Sequence, residues 1–421
     1  GEVVTCNVDL AMFHDSSGPR RLKPMLEELG AQIWDKNRVV LVMDHYVPEQ
    51  DDDARRIVRI ARDWAAEQRL PHVYDSQGIC HVVLPQKGHL RPGMFCVGGD
   101  SHSPTGGAFG TYMFGVGSTE MLGVVVTGEI WVRVPQTLRM WWDGSLAPGV
   151  GAKDMMLHMI GRFGMNGGQY QAVEYAGSAV QVLSMAERMT LSNMSAELGA
   201  QVGLIAADAT TTEALQAMGV APDKLHGADQ WFTDEGATFE AHTFDASRLS
   251  PQVAAPHSPA NTHDVAEFSG VRPSIAYIGA CTGAKLEDLR AAAAVLRGQR
   301  VAAGTPPMQC SASRTPSGSA PGPTICGTSV CAMACMVWPA SSGAVRCATN
   351  RCAQVRAARP SLRMPKAAEV PASISRLMRS GRRATTSCAT MPPMLWPSSA
   401  TCSQRSASMR SMQLWARPLK V

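Results

Sequence analysis

Val39-Val40-Leu41-Val42-Met43, followed at once by Asp44-His45 (VVLVMDH), decides how this chain is read. Five consecutive apolar residues make a short strand buried on both faces, and the polar pair marks its end. Asp53 to Gln68 then carries Ile57, Ile60, Ala61 and Trp64 at helical spacing. Strand, polar strand end and helix, taken in that order, are the repeating plan of an α/β domain.

Working outward, His81 to Leu84 and Met94 to Gly98 read as two further strands. The second delivers Asp100-Ser101-His102 into the glycine-rich GGAFGTYMFGVG. In open α/β sheets ligands gather beyond the carboxyl ends of strands. Asp44, His45, His81, Asp100 and His102 therefore form one candidate site, with carboxylates and imidazoles suited to proton transfer and to holding a polar substrate. Asn193 and Glu197 stand four apart, so a helix puts them on one face.

With 421 residues, 45% hydrophobic and 18% charged, the chain can bury the cores of two or three domains. No run approaches the roughly 18 apolar residues of a membrane span. GEVVTCNVDL lacks a basic-then-apolar secretory pattern, so a cytoplasmic location is expected.

The net charge of +4 hides a split: after Val301 one acidic residue, Glu369, faces fifteen Lys and Arg, whereas the part up to Arg300 is acidic. Eight of the 12 cysteines also fall between Cys310 and Cys402. The length and the missing signal exclude a secreted disulfide scaffold. After Gly298 the periodicity fades into stretches such as SASRTPSGSAPGP, a composition that reads as disordered. A basic arm for nucleic acid is one account of this tail. Translation partly out of frame is the favoured one, because GC-rich codons in the wrong register yield such Ala-Arg-Pro-Ser-Cys mixtures.

Six segments, VMDHYVPEQ, GICHVVLPQKG, GGDSHSPTGGAFG, EYAGSAV, RMTLSNMSAELGA and YIGACTGAKLEDL, occur in this order over about Val3 to Arg300. Together they resemble the aconitase and 3-isopropylmalate dehydratase large-subunit family of iron-sulfur hydro-lyases. The resemblance implies three-layer α/β/α domains around a central cleft: residues 1–130, 131–270 and 271–421, the last aberrant after about 301. The implied function is dehydration and isomerisation of a hydroxy-dicarboxylic acid, first of all 3-isopropylmalate in leucine biosynthesis. Maleate hydration and dehydration of 2-methylmalate or 2,3-dimethylmalate are the alternatives, and a cluster-less, inactive or RNA-binding relative is the alternative of another class.

By the same resemblance, Asp44, His45, His81, Asp100, His102 and Glu197 are catalytic, and Ser101 and Asn193 bind substrate. Cys281 resembles the first ligand of a 4Fe-4S cluster. Cys331 and Cys335 in TSVCAMACMVW are the nearest counterparts of the remaining pair, at Cys-x-x-x-Cys rather than Cys-x-x-Cys spacing. Three soft thiolates would leave the fourth iron open for substrate. Arg351 and Arg356 in CATNRCAQVR correspond to carboxylate clamps, chemistry that suits bidentate guanidinium groups. Glu174 is read as structural. Gln86 stands where many relatives carry a Glu that would orient a histidine. A separate small swivel-domain subunit is implied as partner, bringing a serine base, with no membrane and no nucleic acid. The chain begins at Gly1, inside what resembles a family turn, so further N-terminal residues are expected.

Overall fold

The computed structural model describes residues 1–228, 233–234, 236–271 and 275–299, with the backbone of short strands at 309–310 and 336–337. The chain starts with β1 (Val3–Asn7) and β2 (Leu10–His14), so GEVVTCNVDL forms a strand rather than the expected turn. It continues through α1 (Pro19–Leu29), β3 (Val39–Met43), α2 (Asp52–Gln68), β4 (His72–Asp75), α3 (Cys80–Gln86), β5 (Phe95–Gly98), β6 (Tyr112–Gly115), α4 (Ser118–Thr127) and β7 (Glu129–Arg133).

The strands order as β4-β3-β2-β5-β6, all parallel. Side chains of a strand alternate between faces, and both faces here are covered. Ala11, Phe13, Val39, Leu41 and Met43 pack with Leu22, Ile57, Trp64 and Val124 of α1, α2 and α4. Leu10, Met12, Val40 and Val42 pack with Val83 and Leu84 of α3 and with Phe109 on the opposite face. Each fully buried side chain of this size stabilises by about 1.5–3 kcal/mol. The result is a three-layer α/β/α sandwich.

Helix α2 begins where Asp51 accepts a hydrogen bond from the Ala54 N–H at 2.8 Å. Asp52 and Asp53 in its first turn suit the positive end of the helix dipole. The segment His81–Leu84, expected as a strand, lies instead within α3. Its residues are buried all round, and such a short apolar run looks the same to either periodicity. The helix is started from a distance: Asp44 Oδ2 accepts the Cys80 N–H at 2.6 Å.

A second sheet follows. It contains β8 (Thr137–Asp143), β9 (Ala172–Ala176), β10 (Val202–Ile205) and β11 (Glu240–Asp245) in the order β10-β9-β8-β11, again parallel. Between these strands come α5 (Ala152–Phe163), α6 (Ser178–Gln181), α7 (Met185–Asn193) and α8 (Ala209–Ala217). Leu138, Met140, Trp142, Val173 and Tyr175 pack on Met155, Met159 and Ile160 of α5 and Leu191 of α7. The 3-10 segment Ser103–Phe109 lies against β10 so closely that a β-carbon on Gly107 would collide with the Gly203 carbonyl. This approach sets α7 and the turn after it beside the end of β5.

Beyond β11 come the antiparallel pair β12 (Gln252–Ala254) and β13 (Thr262–Asp264), then β14 (Ile275–Ile278) and α9 (Leu286–Leu296). Strands Gln309–Cys310 and Met336–Val337 flank β14. They are two short elements in a region whose composition offered few convincing strands. No helix among the described residues is long and apolar enough to cross a membrane.

Candidate active site

The strand order places β2 between β3 and β5, with crossovers leaving in opposite directions. That reversal is the topological switch point where open α/β sheets bind ligands. Three loops meet there. His14 ends β2 and Asp15 follows it, Asp44 and His45 follow β3, and Asp100 to His102 follow β5. His81 joins them from the first turn of α3, not from a strand end as the sequence suggested.

Asp100 is the hub. Its Oδ1 accepts hydrogen bonds from His81 Nε2 at 2.8 Å and from the His102 N–H at 2.7 Å. Its Oδ2 lies 3.4 Å from His45 Nε2. Burial alone would push this carboxyl up, but the imidazoles of His81, His102 and His45 hold it well below the ordinary carboxylate range.

His45 Nδ1 donates to Asp44 Oδ1 at 2.7 Å. Burial opposes its charge, yet Asp100 and Asp44 raise its pKa to about 10. Asp44 is itself held below its usual value: burial works against this, and the bond from His45 overcomes it. His102 Nε2 donates to Glu197 Oε1 at 2.9 Å, and Asp100 and Glu197 together overcome burial and raise its pKa to about 11. Two imidazoliums therefore stand over a carboxylate floor at neutral pH.

Helix α7 ends at Asn193, so Glu197 lies in the turn that follows rather than on a shared helical face. The two residues still reach the same place by different paths. Asn193 Nδ2 donates to Thr105 Oγ1 at 2.8 Å, and Thr105 bonds the His102 carbonyl at 2.6 Å. Glu197 Oε2 is buried without a hydrogen-bond partner among the described residues. An orphaned acceptor of this kind is costly unless a ligand or water satisfies it. Ser101 is exposed at the lip, its hydroxyl 3.3 Å from His102 Nδ1.

Cys281 sits in the turn between β14 and α9, its Sγ 3.6 Å from Asn193 Oδ1. Lys285 and Thr190 hold this turn. Thr190 Oγ1 donates to the Thr282 carbonyl at 2.8 Å, and Lys285 Nζ donates to Thr190 Oγ1 at 2.7 Å. Among the described cysteines, Cys6, Cys80 and Cys96 are buried while Cys281 is part-exposed. Burial pushes the Cys6, Cys80 and Cys96 thiols up, which disfavours the thiolate a metal needs. The described residues thus fit one thiolate corner of an iron-sulfur cluster, at Cys281 beside Asn193. Cys331, Cys335, Arg351 and Arg356 lie outside the described residues.

Glu174 lies inside the second sheet, on β9, where it accepts from Arg139 at 3.0 Å and from the Thr233 hydroxyl, far from the hub. Gln86 is exposed at the end of α3, and His81 is oriented by Asp100 instead.

The sequence reading missed His14 and Asp15. The signal was present: LAMFH is an apolar run ending in a polar residue ahead of a turn, the same pattern as VVLVMDH. Asp15 is fully buried, and its two oxygens accept the His45 N–H at 3.3 Å and the Tyr46 N–H at 2.8 Å. His14, Asp15, Asp44 and His45 lie close enough together to hold a cation. However, both Asp15 oxygens and both His14 nitrogens are already engaged within the protein.

The profile of the family described as "Aconitase family (aconitate hydratase)" matches residues 1–273. The "3-isopropylmalate dehydratase large subunit 1" of Methanopyrus kandleri is 42% identical over 306 residues, 72% of this chain and 71% of that protein. The protein of that name without the numeral from Nitratidesulfovibrio vulgaris is 39% identical, covering 72% of each chain. A "Probable methanogen homoaconitase large subunit" from Methanosarcina mazei is 40% identical over 70% of this chain and 75% of its own length. On its parallel sheets, its switch-point histidines and these matches, the chain belongs to the aconitase family.

Proposed function

We propose that this chain is the large subunit of a hydro-lyase acting on a hydroxy-dicarboxylic acid, with 3-isopropylmalate as the leading substrate. The observation that supports this most is the convergence of His45, His81 and His102 on Asp100, with Glu197 behind His102. The names of the two 3-isopropylmalate dehydratase relatives support the substrate choice, and the homoaconitase relative supports a longer hydroxy-acid as the second one to try.

In this reading, the imidazoliums of His45 and His102 attract the substrate's carboxylates. His102 hydrogen-bonds the departing hydroxyl and passes it the Nδ1 proton as the carbon–oxygen bond breaks, while Glu197 keeps hold of the Nε2 proton and so orients the neutral ring that remains. Asp100 keeps the three rings in a common orientation, so that little reorganisation is needed during reaction. Cys281 would hold the cluster together with two thiolates from the later cysteines. When bound, such a cluster supplies a Lewis-acidic iron for the substrate's hydroxyl and carboxylate. Residues 1–130, 131–270 and 271–421 are proposed as the three domains around the cleft. A small subunit is proposed to complete the site with its base, and the complex is placed in the cytoplasm.

The test is to reconstitute the chain with iron and sulfide, add a candidate small subunit, and follow formation of the unsaturated acid from 3-isopropylmalate, homocitrate, 2-methylmalate and malate. Turnover of 3-isopropylmalate, with iron content falling on Cys281→Ser, is the expected result. An iron-loaded complex that turns over none of the four overturns the reading. A chain that takes up no iron at all assigns it to the cluster-less class.

A further inference from the structure

His14 is buried and has no role in the chemistry described above, yet it makes the closest ring contact in the cleft. Its imidazole stacks on that of His45 with centroids 3.7 Å apart and planes within 14°. Two hydrogen bonds set its protons. Nε2 faces the Gly99 carbonyl at 3.0 Å, an atom that can only accept, so Nε2 carries a hydrogen. Nδ1 faces the Ser16 backbone N–H at 3.3 Å, a group that can only donate, so Nδ1 presents its lone pair. The Ser16 hydroxyl, 2.9 Å away, serves as a second donor. The ring is thereby held at both nitrogens, with Asp15 Oδ1 at 3.7 Å and Asp100 Oδ2 at 3.9 Å beyond these bonds, and its flat face is turned to the neighbouring imidazolium. A cation over an aromatic face is attracted to it. Asp44, Asp100 and Asp15 face the same His45 ring at its edge, at 2.7, 3.4 and 4.0 Å. The carboxylates thus set which way the nitrogens point, and the stacked face sets the plane.

We propose that His14 is a positioning residue, a rigid platform that keeps the His45 ring in the plane where it reaches Asp44 and Asp100 together. The proposal rests on reading His45 as a group of the reactive cleft, but its first readout is independent of turnover. A ring held against a carboxylate keeps its Nδ1 proton from exchanging with water, giving a low-field proton resonance. In the full chain this signal is assigned by its loss in His45→Gln.

Expected is that the resonance survives in His14→Phe, which retains a flat face without the two hydrogen bonds, and disappears in His14→Leu. In the assembled enzyme kcat should fall about five- to tenfold in His14→Leu and less than twofold in His14→Phe, with KM little changed, the scale of one aromatic stacking contact. Survival of the resonance in His14→Leu, or its loss in His14→Phe, overturns the proposal. If His14→Leu does not fold, the His14→Phe spectrum alone decides. If no acid is turned over, the resonances still decide, so the two readings fail separately.

Discussion

Glu197 Oε1 lies 2.9 Å from His102 Nε2, joining the turn after α7 to the loop after β5 across 95 residues of sequence. A carboxylate behind a histidine sets the ring's orientation and raises its basicity. Glu197→Gln keeps the shape and removes the charge. Activity should fall by about a hundredfold, within the range for a misaligned acid or base. Stability should respond as well. With its folded pKa at about 11, His102 contributes stability that is complete below its unfolded value of 6.5 and is lost as pH rises toward 11. Denaturant titrations at pH 7 and pH 10 should therefore show a shallower alkaline decline in the variant; an unchanged slope counts against the assignment.

Asp100→Asn should be the most damaging single change in the cleft. The amide can accept from one imidazole but no longer balances two imidazoliums. A loss of kcat of about a hundredfold or more is expected, with the fold retained by circular dichroism. A variant with near-normal turnover would show that the hub is structural only.

Acid sensitivity should come from outside the cleft. His89 is pushed down to about 4, first by burial and then by His72, Arg91 and Lys87 around it, and it accepts the Tyr74 hydroxyl at 2.6 Å. A histidine whose folded pKa is depressed contributes stability above 6.5 that is lost as pH falls toward 4. His89→Phe should flatten the fall in melting temperature between pH 6.5 and 4, and a curve parallel to wild type would exclude this source.

Arg188 is fully buried and reaches Asp208 through both terminal nitrogens at 2.7 Å, with the Gln181 and Leu183 carbonyls completing its donors. Asp208 is 39% exposed and also caps α8 through the Thr211 N–H. Asp208→Ala strands a buried cation and should cost about 3 kcal/mol or more in denaturant unfolding. Arg188→Met leaves only a solvated carboxylate and should cost clearly less. Equal losses would mean that the packing of the arginine stem matters more than its charge.

Much of the first sheet was legible because VVLVM and FCVG are apolar runs closed by polar residues, and because Ile57, Ile60, Ala61 and Trp64 announce α2 by their spacing. His81–Leu84 was misread because a short run buried on every side carries no periodicity, and the hydrogen bond that starts its helix comes from Asp44, 36 residues away. Glu197 was placed on the wrong element, since the α7 helix unwinds one turn earlier than its spacing implies, yet its carboxylate still reaches His102. His14 escaped notice although LAMFH ends as VVLVMDH does, because its stacking on His45 and its contact with the Gly99 carbonyl depend on strands that become neighbours only in the folded sheet.

That adjacency also orders events in time. The first sheet possesses all its strands once Gly115 has been synthesised, although the residues that cover its two faces are not yet complete. Glu197 and Cys281 are synthesised later, Cys281 after Ala172, Val202 and Leu204, which complete the core against that sheet. An error in the message beyond codon 300 would leave every one of these residues unchanged in sequence.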